Sequence, residues 1–574
     1  MKSNRSPRHF KKNRMRVIDF FCGAGGFSEG FRQQEFEVIM GIDKWQPAVD
    51  THNLNHHLND VPKDILDFWS EDSSDVREIE ALPNTEFIIG SPSCISFSMS
   101  NKAGKADKTS GLRLIEAYLR VIAVKRHQRK SILKGWLMEN VPKSKEFIKP
   151  EYTFDDLNLS RWAKKNGFRA TDIAIVIQGD ILNAGDYGAP QERKRYVVGE
   201  WIKTGEFIRP EKTHDVHVRL CDIRSKMPRP NSKNLDENWT DPNYPKLTLK
   251  MQEITDHFYD TGLYEIEWEK AEYLKTNHPF MGRMPFPENE NRTCRTIIAT
   301  RSGTTREPII FKSEYARKGN GEYRLSTIRE LASFMGFPYV YQFVGSEGTK
   351  WRQVGNSVCP HMSNALAKAF RKKLGLKEIK IRDIKFDALK ENHKKVNNLN
   401  TFKEKRFDNP KRRKENSRFR RHPLKLGNIT VNLMNYHPEK KDEVAKEWYV
   451  SVFFGTHEGH KVKVLNKRDL AAVEKILMRK LPDFANFKNE LPTNPPSHKE
   501  LQRIYEEDLL LKNENNPVKI VKRVAEKIRN YEMHSRSVTI DNLFPKSEIP
   551  YAQLMAMYGL LSLVKANTSI PSKV

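Results

Sequence analysis

Over roughly the first two hundred residues, short apolar runs alternate with longer amphipathic stretches. The apolar runs are rich in Val, Ile, Phe and Trp, which favours buried strands, and they occupy residues 16–18, 37–42, 86–90, 135–138, 173–177 and 196–198. The longest amphipathic stretch between them, residues 112–124, predicts a helix. Because alternating strands and helices are typical of an open sheet covered on both faces, we expect an α/β sheet here.

The pattern changes twice further along the chain. From about residue 200 to 293, prolines, Asn/Asp clusters and scattered aromatic residues replace the alternation, as in small irregular domains with functional loops. Helical patterns return at residues 327–335 and 360–374. The last part of the chain predicts a separate domain, with strands at 448–454 and 462–465 and helices at 469–481, 497–512 and 517–531.

The glycine-rich stretch 19–27, DFFCGAGGF, follows the first predicted strand and precedes a segment that can begin a helix. Glycines such as Gly23 and Gly25 let the backbone approach a ligand, and a helix N-terminus favours negative charge. The second predicted strand ends at Asp43, about 20 residues further on, where an acid suits the ribose hydroxyls of an adenosine cofactor. Trp45 is placed to pack on the adenine. The alternative is a plain glycine turn with a helix-capping Asp and a core Trp.

Composition adds an electrostatic constraint. The chain of 574 residues has 100 Lys and Arg against 73 Asp and Glu, a formal net charge of +27. This excess favours nucleic acid as a partner, and an anionic membrane second. The sequence has no apolar run of membrane-spanning length and no secretory signal pattern. The five scattered cysteines argue against disulfides and a Cys-x-x-Cys zinc site, and favour a reducing compartment.

Basic residues are densest between residues 401 and 425, which hold eleven Lys and Arg, among them Lys411, Arg412, Arg413 and Lys414, against three acids. This run is compatible with an arm that meets phosphates and equally with a solvated linker.

Four further stretches lie at the ends of predicted strands, where open α/β sheets place their sites. They are GSPSCISFS around Cys94, ENV beginning at Glu139, QERKR with Arg193 and Arg195, and QVGNSV with Asn356 and Ser357. Each alone has a structural interpretation, as a buried thiol, a strand-end acid or surface charges.

Together and in this order, these motifs resemble those of the DNA cytosine C5-methyltransferase family. Residues 19–27 are similar to its first motif, residues 92–98 to its nucleophile loop, and the other three stretches to its ENV, QxRxR and GNSV motifs. The resemblance covers about residues 14–375. Two features depart from it: Ser93 and Ile95 replace the second Pro and the Gln of the usual Pro-Pro-Cys-Gln, and about 200 residues follow the last motif.

The resemblance implies a role for each catalytic candidate. The Cys94 thiolate would add to C6 of a flipped-out cytosine, because this addition makes C5 nucleophilic. Glu139 would hold a proton at N3, while Arg193 and Arg195 would polarise O2 and help activate the thiol. C5 would then take the methyl group of S-adenosyl-L-methionine, and loss of the C5 proton would expel the sulfur.

For this cofactor, the resemblance and the strand–turn–helix pattern agree on a first set of contacts, namely Phe21, Gly23, Gly25, Asp43 and Trp45. The resemblance adds Asp64, near the adenine amine, with Ile65, and it places Asn356 and Ser357 beside the methionine moiety. No metal is expected.

The expected fold class is a Rossmann-like S-adenosylmethionine-dependent methyltransferase α/β sheet with an irregular target-recognition domain and an extra α+β C-terminal domain. The expected domains are a basic tail at 1–13, a catalytic and cofactor-binding lobe at 14–200, a target-recognition region at 201–325, a return to the catalytic lobe at 326–375, a basic linker at 376–425 and an accessory domain at 426–574.

The expected function is methylation of cytosine C5 in a specific duplex DNA sequence. The resemblance implies bacterial restriction–modification as the most common setting and a stand-alone methyltransferase as the alternative. Two alternatives are an RNA cytosine-5 methyltransferase and a non-catalytic DNA-binding protein on the same scaffold. The long irregular region favours reading a DNA groove, and the joint presence of Cys94, Glu139 and Arg195 favours catalysis. We expect double-stranded DNA as partner, and a cognate restriction endonuclease that acts on the same site without a direct contact being implied. We expect no membrane, a monomer, and a cytoplasmic, nucleoid-associated location.

Overall fold

The structure is a computed structural model, and it divides the chain into two compact units, residues 1–406 and 407–574. It describes residues 14–93, 97, 108–277, 283–390, 404–405, 407, 413–426, 429–439, 447–454, 461–491, 495–509, 511–529, 531, 537–540, 542–545 and 547–564. The candidate nucleophile Cys94, the tail at 1–13, and Lys411 and Arg412 of the basic run lie outside the described residues.

The described strands of the first unit are β1 (Arg16–Phe20), β2 (Glu37–Ile42), β3 (Phe87–Gly90), β4 (Gly135–Asn140), β5 (Glu151–Thr153), β6 (Ile173–Val176), β7 (Gly179–Asn183), β8 (Gln191–Glu192), β9 (Lys194–Trp201), β10 (Asn238–Thr240), β11 (Thr248–Lys250), β12 (Cys294–Arg295), β13 (Ile310–Lys312) and β14 (Tyr323–Leu325).

Its described helices are α1 (Gly26–Gln33), α2 (Gln46–His56), α3 (Arg77–Glu80), α4 (Lys108–His127), α5 (Ser160–Lys165), α6 (Leu220–Arg224), α7 (Glu265–Thr276), α8 (Ile328–Met335), α9 (Glu347–Asn356), α10 (Pro360–Lys373) and α11 (Asp387–Lys390). Single-turn 3-10 helices occupy Ile65–Phe68, Pro142–Glu146, Ala184–Tyr187, Met251–Glu253 and Ile381–Asp383.

A six-stranded sheet in the order β2-β1-β3-β4-β9-β7 organises the first unit. The first four strands are parallel, and β9 runs antiparallel to both of its neighbours. Neighbouring residues of β3, such as Phe87 and Ile88, are both fully buried although they point to opposite faces. One face packs against α1 and α10 and the other against α4. The expected α/β sheet with both faces covered is therefore confirmed.

Two details differ from the sequence-based expectation. The predicted strand at 173–177 forms β6, but β6 pairs with β5 in a separate two-stranded sheet. The edge position in the main sheet is occupied by β7, whose sequence Gly-Asp-Ile-Leu-Asn is half exposed and has a weak apolar signal.

Within the region expected to be irregular, helix α7 was missed because its buried positions carry no regular apolar stripe: Ala271 and Lys275 are its buried residues.

The second unit contains the antiparallel sheet β15-β16-β17-β18 and the hairpin β19-β20. Its strands are β15 (Arg420–Leu426), β16 (Ile429–Met434), β17 (Tyr449–Phe454), β18 (Lys461–Val464), β19 (Ser537–Thr539) and β20 (Glu548–Pro550). Its helices are α12 (Lys467–Lys480), α13 (Phe484–Asn489), α14 (His498–Glu507), α15 (Pro517–Arg529) and α16 (Tyr551–Leu563).

Helix α16 forms much of the core of the second unit, and Ser562 is its least buried residue. A helix that is apolar all round is buried on every side, and its lack of a single apolar stripe explains why sequence periodicity did not reveal it. The unit begins at Phe407, within the stretch interpreted above as a linker, and Phe419 already belongs to its core. Among the helices described in either unit, none is long and apolar enough to cross a membrane.

Candidate active site

A cavity of about 490 Å³ opens at the carboxyl ends of the parallel strands of the first unit. It is lined by residues from all the predicted motifs: Phe21, Gly23, Ala24, Ile42, Asp43, Lys44, Trp45, Lys63, Asp64, Ile65, Ser91, Pro92, Ser93, Ser110, Leu114, Glu139, Arg193, Arg195, Gln353, Gly355 and Asn356. Parallel strands deliver their following loops to one edge of the sheet, so residues distant in sequence meet there.

The glycine turn after β1 has two different surfaces. A Cβ on Gly23 would have open space, with its nearest neighbour 3.9 Å away, and this bare edge faces the cavity. A Cβ on Gly25 would lie 2.4 Å from the Tyr341 hydroxyl, and one on Gly26 would lie 2.1 Å from the Val358 carbonyl oxygen. The first glycine therefore leaves room for a ligand, while the next two allow the late segment of the chain to pack against the turn.

Asp43 follows β2, half-buried in the cavity wall. The backbone N–H of Gly23 donates to its Oδ2 (3.1 Å), and that of Trp45 donates to its Oδ1 (2.9 Å). Burial raises the pKa of Asp43, and these two N–H groups oppose the rise. The carboxylate is thus held in place with lone pairs left for hydroxyl donors. The Trp45 ring has the Arg352 guanidinium 5.5 Å from its centroid.

Asp64 begins the 3-10 helix at Ile65–Phe68 and forms the next part of the wall. Its Oδ1 accepts from the N–H of Leu66 at 3.1 Å, and the ammonium of Lys44 lies 3.3 Å from its Oδ2. Ile65 is buried and contributes an apolar surface to the cavity. The two residues therefore present a polar and an apolar contact side by side.

The nucleophile loop is held on either side of Cys94, which itself lies outside the described residues. On one side, the Asn140 amide donates to the carbonyl of Pro92 at 3.1 Å. On the other, the buried ring of Phe97 stacks on Phe147 with 5.6 Å between centroids. The asparagine of the ENV motif thus ties the end of β4 to the loop that follows β3.

Glu139 and Arg195 form an ion pair in the cavity wall, with Nε 2.8 Å from Oε1. They come from β4 and β9, which are antiparallel neighbours in the sheet. Their side chains are 9% and 12% exposed, so water screens the pair little. The pairing fixes the direction of the carboxylate, which faces the cavity together with the guanidinium.

Arg193 makes different contacts from Arg195. Its buried guanidinium donates to three backbone carbonyls, those of Ile297 (2.9 Å), Gly355 (3.2 Å) and Ser357 (2.8 Å). These contacts join the QxRxR motif to the recognition region and to the GNSV motif. They support a clamping role; polarisation of a substrate oxygen by Arg193 stays a prediction.

The two late-motif residues differ in position. Asn356 is exposed in the cavity wall, as expected of a cofactor contact. Ser357 is buried, does not line the cavity, and donates its hydroxyl to the Gln353 carbonyl at 2.8 Å. A direct contact of Ser357 with a ligand therefore stays a prediction.

Sequence reasoning missed several residues of the cavity wall, including Lys44, Lys63, Ser110, Leu114 and Gln353. Gln353 lies two residues before Gly355 of the GNSV motif and begins the stretch QVGNSV, so its position was available as a signal. Ser110 and Leu114 lie four residues apart on α4 and reach the cavity through packing of that helix on the sheet. No local pattern marks such residues. Among the described residues, no group of three or more His, Cys, Asp or Glu is arranged to hold a metal ion.

The α/β sheet with a cavity at the carboxyl ends of its parallel strands is the Rossmann-like arrangement expected of an S-adenosylmethionine-dependent methyltransferase. Residues 15–372 match the family model of the C-5 cytosine-specific DNA methylases, which is more than half of the chain. The chain therefore belongs to that family: it is a DNA cytosine-5 methyltransferase, and its cofactor is S-adenosyl-L-methionine. This identification favours the DNA enzyme over the two alternatives raised from the sequence.

Known relatives are similar over a comparable length of the chain. The type II methyltransferase M1.HphI of Haemophilus parahaemolyticus is 26% identical over 359 residues, covering 62% of this chain and 86% of the relative. The type II methyltransferase M.MthTI of Methanothermobacter thermautotrophicus is 26% identical over 367 residues, covering 63% and 98%. A solved structure, the S. pombe Dnmt2 methyltransferase, aligns with 15% identity and a TM-score of 0.40, covering 63% of this chain and all of the other.

Proposed function

We propose that this methyltransferase acts on a flipped-out cytosine within a specific duplex sequence, through a covalent bond between Cys94 and C6. The observation that carries the proposal is the Glu139–Arg195 pair, which faces the same cavity as the Asp43–Gly23 turn. A base-binding pair and a cofactor-binding turn within one cavity suit transfer of a group from one ligand to the other.

The assignment of Cys94 as the nucleophile is supported by the state of other thiols. Cys22, Cys294 and Cys359 are buried, and burial raises the pKa of each, which disfavours the reactive thiolate. Cys94 belongs instead to a loop whose neighbours Pro92 and Ser93 line the cavity. Its thiolate adds to C6 of the cytosine ring, and the ring becomes nucleophilic at C5.

Glu139 and Arg195 divide the work on the base. Glu139 holds a proton at N3, so that negative charge does not accumulate on the ring during addition. Arg195 directs the Glu139 carboxylate and stabilises the charge that develops at O2. When the methyl group has been transferred to C5, loss of the C5 proton restores the ring and releases the sulfur.

The residues of the cavity fit S-adenosylmethionine, which supplies the methyl group when bound. Asp43 would accept from the ribose hydroxyls, Trp45 and Ile65 would pack on the adenine, and Asp64 would accept from its amine. Phe21 and the bare edge of Gly23 would leave room for the methionine chain, which Asn356 would contact at its other side. A direct contact of Gly25 with the cofactor stays a prediction, because Gly25 packs against Tyr341.

Reading of the DNA sequence is assigned to residues 201–325. Strand β12 of this region pairs with β8, and β8 directly precedes Arg193, so the region is attached to the catalytic lobe beside the QxRxR arginines. Its loops would contact base edges in a groove. The relatives M1.HphI and M.MthTI are named type II methyltransferases, which supports a role in protecting DNA from a cognate restriction enzyme acting on the same site in the bacterial cytoplasm.

The central experiment replaces Cys94 by Ser. Methyl transfer to duplex DNA, measured as tritium incorporation, should be lost while cofactor binding persists, because a hydroxyl is a far weaker nucleophile at neutral pH. Cys221→Ser is the matched control, since this half-buried cysteine does not line the cavity. Full activity of the Cys94 variant would exclude the assigned nucleophile.

Two further measurements complete the test. Bisulfite sequencing of DNA from cells expressing the chain identifies the target cytosine. A duplex with 5-fluorocytosine at that position should then trap a covalent adduct, because fluorine does not leave as a proton does. Failure to trap wild-type enzyme on the confirmed site would contradict the covalent mechanism, and equal tritium transfer to tRNA would contradict the DNA specificity.

A further inference from the structure

His217 lies between two carboxylates at the junction of the catalytic lobe and the recognition region. Its Nδ1 is 2.8 Å from Oε1 of Glu192, and its Nε2 is 3.0 Å from Oδ1 of Asp186. The ring rests on the backbone of Gly185, where a Cβ would lie 3.0 Å from Nδ1. Both nitrogens can donate only in the charged imidazolium, which suits two acidic acceptors.

Glu192 connects this bridge to the proposed catalytic machinery. It stands between Gln191 and Arg193, within the QxRxR motif. Its carboxylate also accepts from the Asn183 amide (2.5 Å) and from the Thr293 hydroxyl (3.2 Å). One side chain thus contacts β7, the loop containing His217, and the segment that precedes β12 in the recognition region.

The strand pairing that this bridge supports is short. β8 and β12 pair over two residues each, Cys294 with Gln191 and Arg295 with Glu192. Two-residue pairing holds a register weakly, so side-chain contacts must help to fix it. Arg193 follows directly and reaches the carbonyls of Ile297 and Ser357.

We propose that His217 is a positioning residue for methyl transfer: by bridging Asp186 and Glu192 it fixes β8, and with it the following residues Arg193 to Arg195, against the recognition region. The inference rests on the function proposed above for these arginines. It assigns to the recognition region a part in shaping the catalytic wall, in addition to reading DNA.

The charged and titratable groups around His217 give the bridge a pH dependence. Asp186 and Glu192 face it directly, Lys212 lies 3.1 Å from the other oxygen of Asp186, and His214 is its neighbour in the same loop. Hydrogen bonds to Asp186 and then Glu192 raise the pKa of His217 above 6.5. The stabilisation is therefore complete below pH 6.5 and is lost as the pH rises through the raised pKa.

The test compares wild type with His217→Asn from pH 6 to pH 10. An Asn side chain cannot donate to both carboxylates, so we expect kcat of the variant to be about tenfold below wild type at pH 6.5. The ratio of wild-type kcat to variant kcat should fall to within about twofold at pH 10, where the imidazolium of His217 in the wild type has lost its proton. The dissociation constant for S-adenosylmethionine should stay within about twofold of wild type, because Asp43 and Trp45 are not part of the bridge.

His214→Asn is the matched control and should follow wild type over the whole range. Asp186→Ala removes the other end of the bridge and should repeat the pH-dependent loss, which provides a second variant if His217→Asn fails to fold. A ratio of wild-type kcat to His217→Asn kcat that equals one, or that does not change with pH, would overturn the proposal. If Arg195→Ala leaves turnover intact, the proposed function of the arginines fails; if Arg195→Ala is inactive and His217→Asn behaves as wild type, only the positioning role fails.

Discussion

Replacing Asp43 by Ala tests the cofactor site most directly. Each carboxylate oxygen of Asp43 already accepts one backbone N–H, from Gly23 at 3.1 Å and from Trp45 at 2.9 Å, and these contacts aim it into the cavity. Truncation removes the acceptor for the ribose hydroxyls and leaves two N–H groups that water entering the cavity can satisfy. A hydrogen bond to a charged group contributes about 1.5–3 kcal/mol, so Kd should rise by about 10- to 150-fold.

Calorimetric titration with S-adenosylmethionine at pH 7.5 measures this effect. Asp43→Asn is the matched control, because it keeps the shape and one acceptor oxygen, and its loss should be smaller than that of the Ala variant. Burial raises the pKa of Asp43, so the ionised carboxylate destabilises the folded protein at pH values above the raised pKa. Its removal should therefore not lower Tm, and wild-type affinity should weaken as the pH falls through the raised pKa. A folded Ala variant with unchanged affinity would refute the assignment.

Two other predictions follow from the geometry of the chain. Gly26→Ala places a Cβ 2.1 Å from the Val358 carbonyl oxygen and should lower the free energy of unfolding, measured in urea, by about 1–3 kcal/mol. Gly348→Ala is the control and should not lower it, because a Cβ there has nothing within 4 Å. Equal stability of both variants would contradict the packing of Gly26 against Val358. Neutralising the exposed Lys414, Arg418, Arg420 and Arg421 should weaken DNA binding equally for target and non-target duplexes. The slope of log affinity against log salt should become shallower by up to about 0.9 for each phosphate contact that is lost. Neutralising Lys467, Lys475, Arg479 and Lys480, which are exposed on α12, is the control, and a changed target sequence would contradict the phosphate-contact interpretation.

The structure changes the choice of residues for the last experiment. Arg413 was part of the basic run expected to meet phosphates. Its guanidinium instead donates to the Tyr505 carbonyl at 3.0 Å and lies 4.4 Å from the Tyr505 ring centroid. Neutralising Arg413 would disturb the second unit itself, so a loss of DNA binding would have two explanations.

Motifs at strand ends were visible in the sequence because their signal is local. The turn with Gly23 and the acid at Asp43 are separated by one helix and one strand, and a parallel βαβ unit brings such positions together by rule. The pairing of Glu139 with Arg195 was not visible, because it depends on β9 running antiparallel beside β4. The buried position of Ser357 was also hidden, since neighbouring residues of a motif differ in exposure according to packing that the sequence does not display.

Helices α7 and α16 were missed for a related reason, which is clear from a comparison with two helices that were predicted. Helices α8 and α10 have an apolar stripe with clear ends, such as the Thr327 cap and its reciprocal contact with Glu330, and they were expected. In α16 apolar residues occupy every side, and in α7 polar residues cover most positions. Neither helix shows the amphipathic period that a surface helix has, so tertiary burial alone identifies them.

The clamp made by Arg193 has a consequence for the order in which the enzyme becomes active during its synthesis. The ribosome delivers Asp43, Glu139 and Arg193 early, but the carbonyls of Gly355 and Ser357 that hold Arg193 arrive more than 160 residues later. Domains fold as their segments emerge, and contacts of such long sequence separation must wait for the later segment. A nascent chain stalled before Gly355 would thus hold most of the catalytic side chains but an unfinished cavity. Methylation would begin after the catalytic unit has been completed, and a truncated product would carry the nucleophile without the means to use it.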